Sequence, residues 1–340
     1  MYGDTTPVDE GFLRALGIHR IPVPVPFLEA GGPVNVYALL DEDGRWTLFD
    51  TGVGTADGLA ALRCGAAEAN VDLRKLSRII VSHGHVDHYG NAQLLAEESG
   101  APVFVHPADL SKVLGEERFA ALLSRHRGYF LSALGVPEAV VDEMTALASR
   151  SKPVSRPVER ARLSLLEPGR RFRFRHFDAE VLHCPGHTPG LVCLHVPAKR
   201  LLLADDHLLA KVSPNPLLDL SQGEGDTKFP ALVRYVESAK AVHALELDAV
   251  LPGHGPSFAG HRALLDGLFA FYERRQAKLL DHARQAASTV YDAVDVLFPR
   301  RDVPRLVLML SEVLGNLEVL EYAGRLRRER DGDVVRYAAT

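Results

Sequence analysis

Ser82-His83-Gly84-His85-Val86-Asp87-His88 follows the apolar run Arg78-Ile79-Ile80-Val81 without a break. Four metal-capable side chains, His83, His85, Asp87 and His88, therefore stand within six residues where a buried strand ends. Taking so many polar groups out of water without partners is unfavourable, so packing explains the run poorly. A histidine-rich loop without function is the bland alternative. Side chains alternate along an extended segment, which puts His83 and His85 on one side. Asp87 and His88 can turn back toward a second point, and the run can serve two adjacent cations.

Downstream the same device recurs. His187 sits in Cys184-Pro185-Gly186-His187-Thr188-Pro189-Gly190, Asp206 closes Leu201-Leu202-Leu203-Ala204-Asp205-Asp206, and His254 lies in Leu251-Pro252-Gly253-His254-Gly255. A single histidine after a strand is more often a loop or core residue than a ligand. Together these positions supply five histidines and two carboxylates at strand ends, a donor set that suits borderline cations and a bridged pair.

The run HGHVDH resembles the HxHxDH signature of the metallo-β-lactamase superfamily. PGHTPG, the strand-end Asp and PGHGP resemble its later motifs in the same order, and Leu48-Phe49-Asp50-Thr51-Gly52 resembles its early Asp-Thr-Gly segment. The resemblance runs from Val34 to Pro256 and implies an αββα sandwich with metals at one edge of two sheets. It also implies that His83, His85 and His187 bind a first metal, that Asp87, His88 and His254 bind a second, and that Asp206 bridges them. Asp50 would orient ligands from behind. The family pattern has Gly-Asp at the bridging strand end. Asp205 stands in the place of that glycine, so Asp206 is the expected bridge and His207 a neighbour. Two divalent cations are expected, zinc first, with iron or manganese able to fill the same imidazole and carboxylate sites.

Around this centre the chain reads as alternating sheet and helix. Val34–Leu40 and Arg45–Gly52 form a hairpin through Asp41-Glu42-Asp43-Gly44. Strands return at Arg171–Leu182, Val192–Val196, Arg200–Ala204 and Ala249–Leu251, which suggests a sheet-based α/β sandwich. From about 108 to 158 the pattern is helical, with Phe119, Leu122, Leu123, Phe130, Leu134, Val140, Val141 and Met144 at helical spacing. This insert is expected as a lid over the metal edge, with Tyr129 and Phe130 against the substrate, although a structural decoration would carry the same stripe. Tyr89 and Asn91 are candidate hydrogen-bond donors to substrate, or they pack a helix start on the loop. Beyond His261, a long helix to Ala287, shorter ones at Thr289–Phe298 and Arg305–Gly324, and a hairpin about Asp331-Gly332 make a winged-helix-like tail. The expected division is a catalytic domain at 1–265 and a C-terminal domain at 266–340.

Bulk properties exclude several classes. The 340 residues are 46% hydrophobic and 24% charged, which permits a packed core. A net charge of −5 leaves no whole-molecule footprint for nucleic acid. No basic segment followed by an apolar run opens the chain, and no stretch approaches a membrane span. Three scattered cysteines imply no disulfide framework, so a reducing cytoplasm is the expected setting.

Two cations about 3.5–4 Å apart can share a water, lower its pKa and deliver hydroxide at neutral pH. Asp87 would pass the proton to the leaving group. The expected activity is hydrolysis of a small thioester, ester or lactone; an RNA-cleaving endonuclease and an iron-dependent sulfur oxygenase of the same superfamily are the alternatives. Arg325, Arg327, Arg328 and Arg330 on the tail hairpin invite a nucleic-acid reading. A recognition helix should carry basic and amide groups, whereas Arg305–Gly324 carries Glu312, Glu318 and Glu321 and no Lys. A small-molecule substrate is therefore expected rather than nucleic acid, with the tail packing or forming a homodimer.

Overall fold

The computed structural model describes residues 3–26, 32–116, 119–150, 153–214, 216–221, 223 and 228–340. They form two compact units. The first comprises Met1–Glu116, Pro153–Pro214 and Ser238–Asp266, and the second Glu117–Lys152, Asn215–Glu237 and Gly267–Thr340. Among the described residues, no helix is long and apolar enough to cross a membrane.

Two sheets build the first unit. One has six strands in the order Ile18–Val23, Val34–Leu40, Trp46–Phe49, Leu76–Ile80, Val103–Val105, Leu163–Leu165. The other has seven, in the order Thr6–Pro7, Phe258–Ala259, Ala249–Pro252, Leu201–Asp205, Val192–Val196, Asp178–His183, Arg171–Arg173. The expected hairpin joins Val34–Leu40 to Trp46–Phe49, with Asp41 N donating to Arg45 O at 2.9 Å and Gly44 at φ 85° closing the turn.

Alternation along these strands sorts the side chains into layers. Tyr37, Leu39, Phe49 and Ile80 join Val181, Leu194, Leu203 and Leu251 in the core between the sheets. Val36, Ala38, Leu48 and Ile79 face the other way and pack with Leu62 and Ala66 of the helix Ala56–Glu68 and with Leu95 and Ala96 of the helix Ala92–Ser99. The result is the α/β sandwich expected from the motifs. Leu76–Ile80 runs parallel to Trp46–Phe49, and Leu201–Asp205 runs parallel to Ala249–Pro252. Their C-terminal ends lie along one edge, where Asn35 N donates to Gly253 O at 2.7 Å and ties the two sheets together.

The second unit draws on three stretches of chain. Phe130, Leu134, Val141 and Met144 share a core with Leu279, Val294, Leu310, Leu314, Leu317 and Tyr337. Its helices include Glu138–Arg150, Val290–Leu297 and Leu306–Tyr322, and the hairpin Leu326–Asp331 with Val334–Ala339 follows them. The segment 117–152 of the expected insert thus packs with the C-terminal helices in one unit. The side chain of Phe119 lies outside the described residues.

Candidate metal centre

The strand Leu76–Ile80 is followed by a loop whose shape Asp50 sets. Asp50 occupies the left-handed region at φ 66°, which a short polar side chain tolerates. Its carboxylate accepts from Ser82 N and from Ser82 Oγ, each at 2.7 Å, and faces His88 Nδ1 at 3.0 Å. Ser82 Oγ in turn lies 3.0 Å from His83 Nδ1. Asp50 therefore stands behind the loop of candidate ligands, and Ser82, to which no motif assigned a role, carries its grip forward.

Three ring nitrogens converge in front. His85 Nδ1 lies 2.9 Å from His83 Nε2 and 2.9 Å from His187 Nε2. Behind, His187 Nδ1 donates to Pro214 O at 2.6 Å, which turns its Nε2 lone pair inward. Lone pairs so close repel unless a proton or a cation lies among them. A second group joins Asp87, His88 and His254. His254 Nε2 is 3.6 Å and His88 Nε2 3.8 Å from Asp87 Oδ2. His254 Nδ1 is held from behind by Gly32 O and Pro33 O at 3.1 and 3.2 Å.

Asp206 lies between the groups. Its Oδ2 is 3.4 Å from His187 Nε2 in the first, and 3.5 and 3.7 Å from His88 Nε2 and His254 Nε2 in the second. Asp205 instead meets the rings from behind, its Oδ1 3.2 Å from His83 Nδ1 and 3.3 Å from His88 Nδ1. All seven expected ligands are thus brought together. His88 Nε2 and Asp206 Oδ1 are buried without a hydrogen-bond partner, an uncommon and costly state. Two imidazole-and-carboxylate groups that share one orphaned carboxylate fit a pair of divalent cations.

Burial, then the neighbouring His83 and His187, pushes His85 well below the ordinary imidazole range. Burial also lowers His187. Both rings therefore stay neutral, as ligands must. Burial works against charge on His88, but Asp205, Asp87 and Asp206 around it raise it well above its usual value. Burial likewise opposes ionisation of Asp206, yet His254 and His88 hold it below the carboxylate range. Burial, reinforced by Asp205, raises Asp50 well above that range. His207 is buried beside the site, and burial takes it down to about 3.

Of the two readings open for Tyr89 and Asn91, substrate donor or packing at a helix start, the hydrogen bonds match the packing one. Tyr89 is buried, its hydroxyl donating to Lys112 O at 3.1 Å and accepting from Ser155 Oγ at 3.3 Å. Asn91 is buried too, its Nδ2 donating to Thr51 O at 2.8 Å and Val53 O at 2.9 Å. Both side chains brace backbone, so their polar atoms face protein. Phe130 is fully buried and Tyr129 nearly so in the core of the second unit, which accounts for the insert's apolar stripe by packing.

The family model for the metallo-beta-lactamase superfamily matches residues 30–254. A relative in Bacillus subtilis named probable metallo-hydrolase YqjP is 27% identical over 321 residues, covering 93% of this chain and 95% of its own. Probable metallo-hydrolase YflN of the same organism is 25% identical over 262 residues, 74% of this chain and 88% of its own. Among solved structures, the metallo-beta-lactamase family protein TTHA1429 from Thermus thermophilus is 28% identical with a TM-score of 0.75, covering 95% of this chain and 99% of that one. A beta-lactamase domain protein from Burkholderia ambifaria shares the fold at a TM-score of 0.79 and 24% identity, over 100% of this chain and 95% of its own.

Proposed function

This chain belongs to the metallo-beta-lactamase superfamily, and from that premise we propose that it is a hydrolase with a dinuclear metal centre acting on a small thioester, ester or lactone. The observation that carries the reading is Asp206 Oδ2, within 3.4 to 3.7 Å of ring nitrogens from both ligand groups. Zinc is the first choice for this donor set. Bound cations would supply Lewis acidity toward the acyl oxygen and a water acidic enough to attack at neutral pH.

The chain's own groups hold and orient. His83, His85 and His187 form the all-imidazole face, and Asp87, His88 and His254 the mixed one. Asp87 is the more open of the two front carboxylates, with its side chain 13% exposed against 8% for Asp206. Its Oδ2 is therefore the proposed atom that carries the proton to the leaving group. A small substrate is supported by the charge balance, which is −5 over the whole chain, and by pairing of the hairpin arginines. Arg328 meets Glu321 and Arg327 meets Glu329, both at 2.6 Å.

Elemental analysis of protein loaded with zinc should give about two ions per chain. A panel of acyl thioesters, esters and lactones should then find turnover that a chelator removes and zinc restores. One ion or none in fully loaded protein would count against the paired centre. Chelator-sensitive cleavage of RNA with none of the acyl substrates turned over would replace the substrate class.

A further inference from the structure

We propose that Asp109 is a positioning residue for the three-histidine group, clamping the loop that carries His83 and His85 against the loop that carries His187. The inference rests on the metal-centre reading above and concerns a residue outside its ligand set. Asp109 is fully buried in the one-turn helix Pro107–Asp109 that follows the strand Val103–Val105. Its Oδ2 accepts from Gly84 N at 2.8 Å and from Thr188 Oγ1 at 2.6 Å. Its Oδ1 accepts from Gly190 N at 3.1 Å and from Lys112 Nζ at 3.0 Å.

These partners belong to the ligand loops themselves. Gly84 is the residue between His83 and His85, and Thr188 is the neighbour of His187. One carboxylate therefore spans the two segments whose imidazoles must converge. Close approach explains both glycines. A Cβ at Gly84 would come within 2.8 Å of Lys112 Cβ, and one at Gly190 within 2.7 Å of Asp109 Cγ. Burial works against charge on Asp109, but Lys112 and the Thr188 hydroxyl keep it below the ordinary carboxylate range, so it can accept on both oxygens. Charge-assisted bonds of this kind are shorter and about twice as strong as neutral ones. Metal–nitrogen distances are expected within about 0.2 Å of their usual values, so slack between the loops would be felt at the metal.

Asp109→Asn keeps the volume but sets an amide N–H₂ against donors from the loops. The test uses the full chain loaded with zinc, with stepwise affinities from chelator competition, the visible spectrum of cobalt-substituted protein, and a melting curve. Affinity at one site should fall about 10- to 100-fold, the other should hold, and the cobalt spectrum should change. Thr188→Val, which removes a single donor, should weaken the same site less and serves if Asp109→Asn does not fold. A lower melting temperature with both affinities and the cobalt spectrum of wild type in Asp109→Asn, or in Thr188→Val where Asp109→Asn does not fold, would make Asp109 a fold brace only and overturn the proposal. Wild-type protein that takes up no metal would instead defeat the metal-centre reading beneath it.

Discussion

Adjacent carboxylates leave the strand Leu201–Asp205 in opposite directions. Asp205 sits at φ 48°, and the pairing with Ala249–Pro252 shifts register between Leu203 and Asp205. That kink sends Asp206 to the Nε2 side of the rings and Asp205 to the Nδ1 side. Asp206→Ala should therefore lower occupancy of both sites in elemental analysis, while Asp205→Asn keeps about two ions and loses roughly 10- to 100-fold in affinity, as for a group that orients ligands. A larger loss of bound metal from Asp205→Asn than from Asp206→Ala would reverse the two roles. A second prediction concerns His106, stacked on His183 with ring centroids 4.1 Å apart. Burial, then His183, takes its pKa from 6.5 down to about 4. Between those values the unfolded chain binds more protons at this position, so its effect on stability is flat above about pH 6.5, grows more unfavourable as pH falls toward 4, and then levels. Urea midpoints should drop less between pH 7 and pH 5 in His106→Gln than in wild type. Identical drops in the two proteins would rule the residue out as a source.

Elements carry their own expectations. Thr289 caps the helix Val290–Leu297, its Oγ1 accepting from Asp292 N at 3.0 Å while Asp292 accepts from Thr289 N at 3.4 Å. Thr289→Ala should cost about 0.5–2 kcal/mol, readable by denaturant titration; no change would mean the cap is solvent-compensated. The helix Leu306–Tyr322 bears on nucleic acid for a reason its composition does not contain. Glu312 lies 3.4 Å from Arg275, Glu318 2.7 Å from Lys228 and Glu321 2.6 Å from Arg328, so its acidity is largely paired. What argues against groove reading is burial, since Leu310 through Leu317 are all buried and a recognition helix must present a face. Titration with single-stranded RNA near physiological salt should show binding no tighter than the 10⁻⁴–10⁻⁶ M typical of nonspecific contacts. Tight binding lost on replacing Arg325, Arg327 and Arg328 would revive the endonuclease.

At the scale of the molecule, the second unit is built from stretches that meet only on folding. A chain ended after Asp266 would keep Phe130, Leu134, Val141 and Met144 but lose Leu279, Val294, Leu310 and Leu317 from their shared core. Each buried side chain of this kind is worth about 1.5–3 kcal/mol, so the fragment should bind a hydrophobic dye and be cut readily within 119–150. A fragment that resists protease and binds no dye would show the insert to be self-sufficient. The sequence by itself determined which candidate metal-binding side chains come together, because His83 to His88 are contiguous and His187, Asp206 and His254 each end an apolar strand or its loop. It also determined the hairpins, because Asp331-Gly332 and Asp41 to Gly44 favour tight turns. Tertiary structure alone decided what Tyr89 and Asn91 do, because their partners Lys112, Thr51 and Val53 are remote or lie in another element. It decided the partner of the insert's apolar stripe, because helical periodicity says that a face is buried and not against what. It decided the place of Asp109 as well, since Gly84 and Gly190 reach that carboxylate only when two separate loops converge on the one-turn helix that carries it.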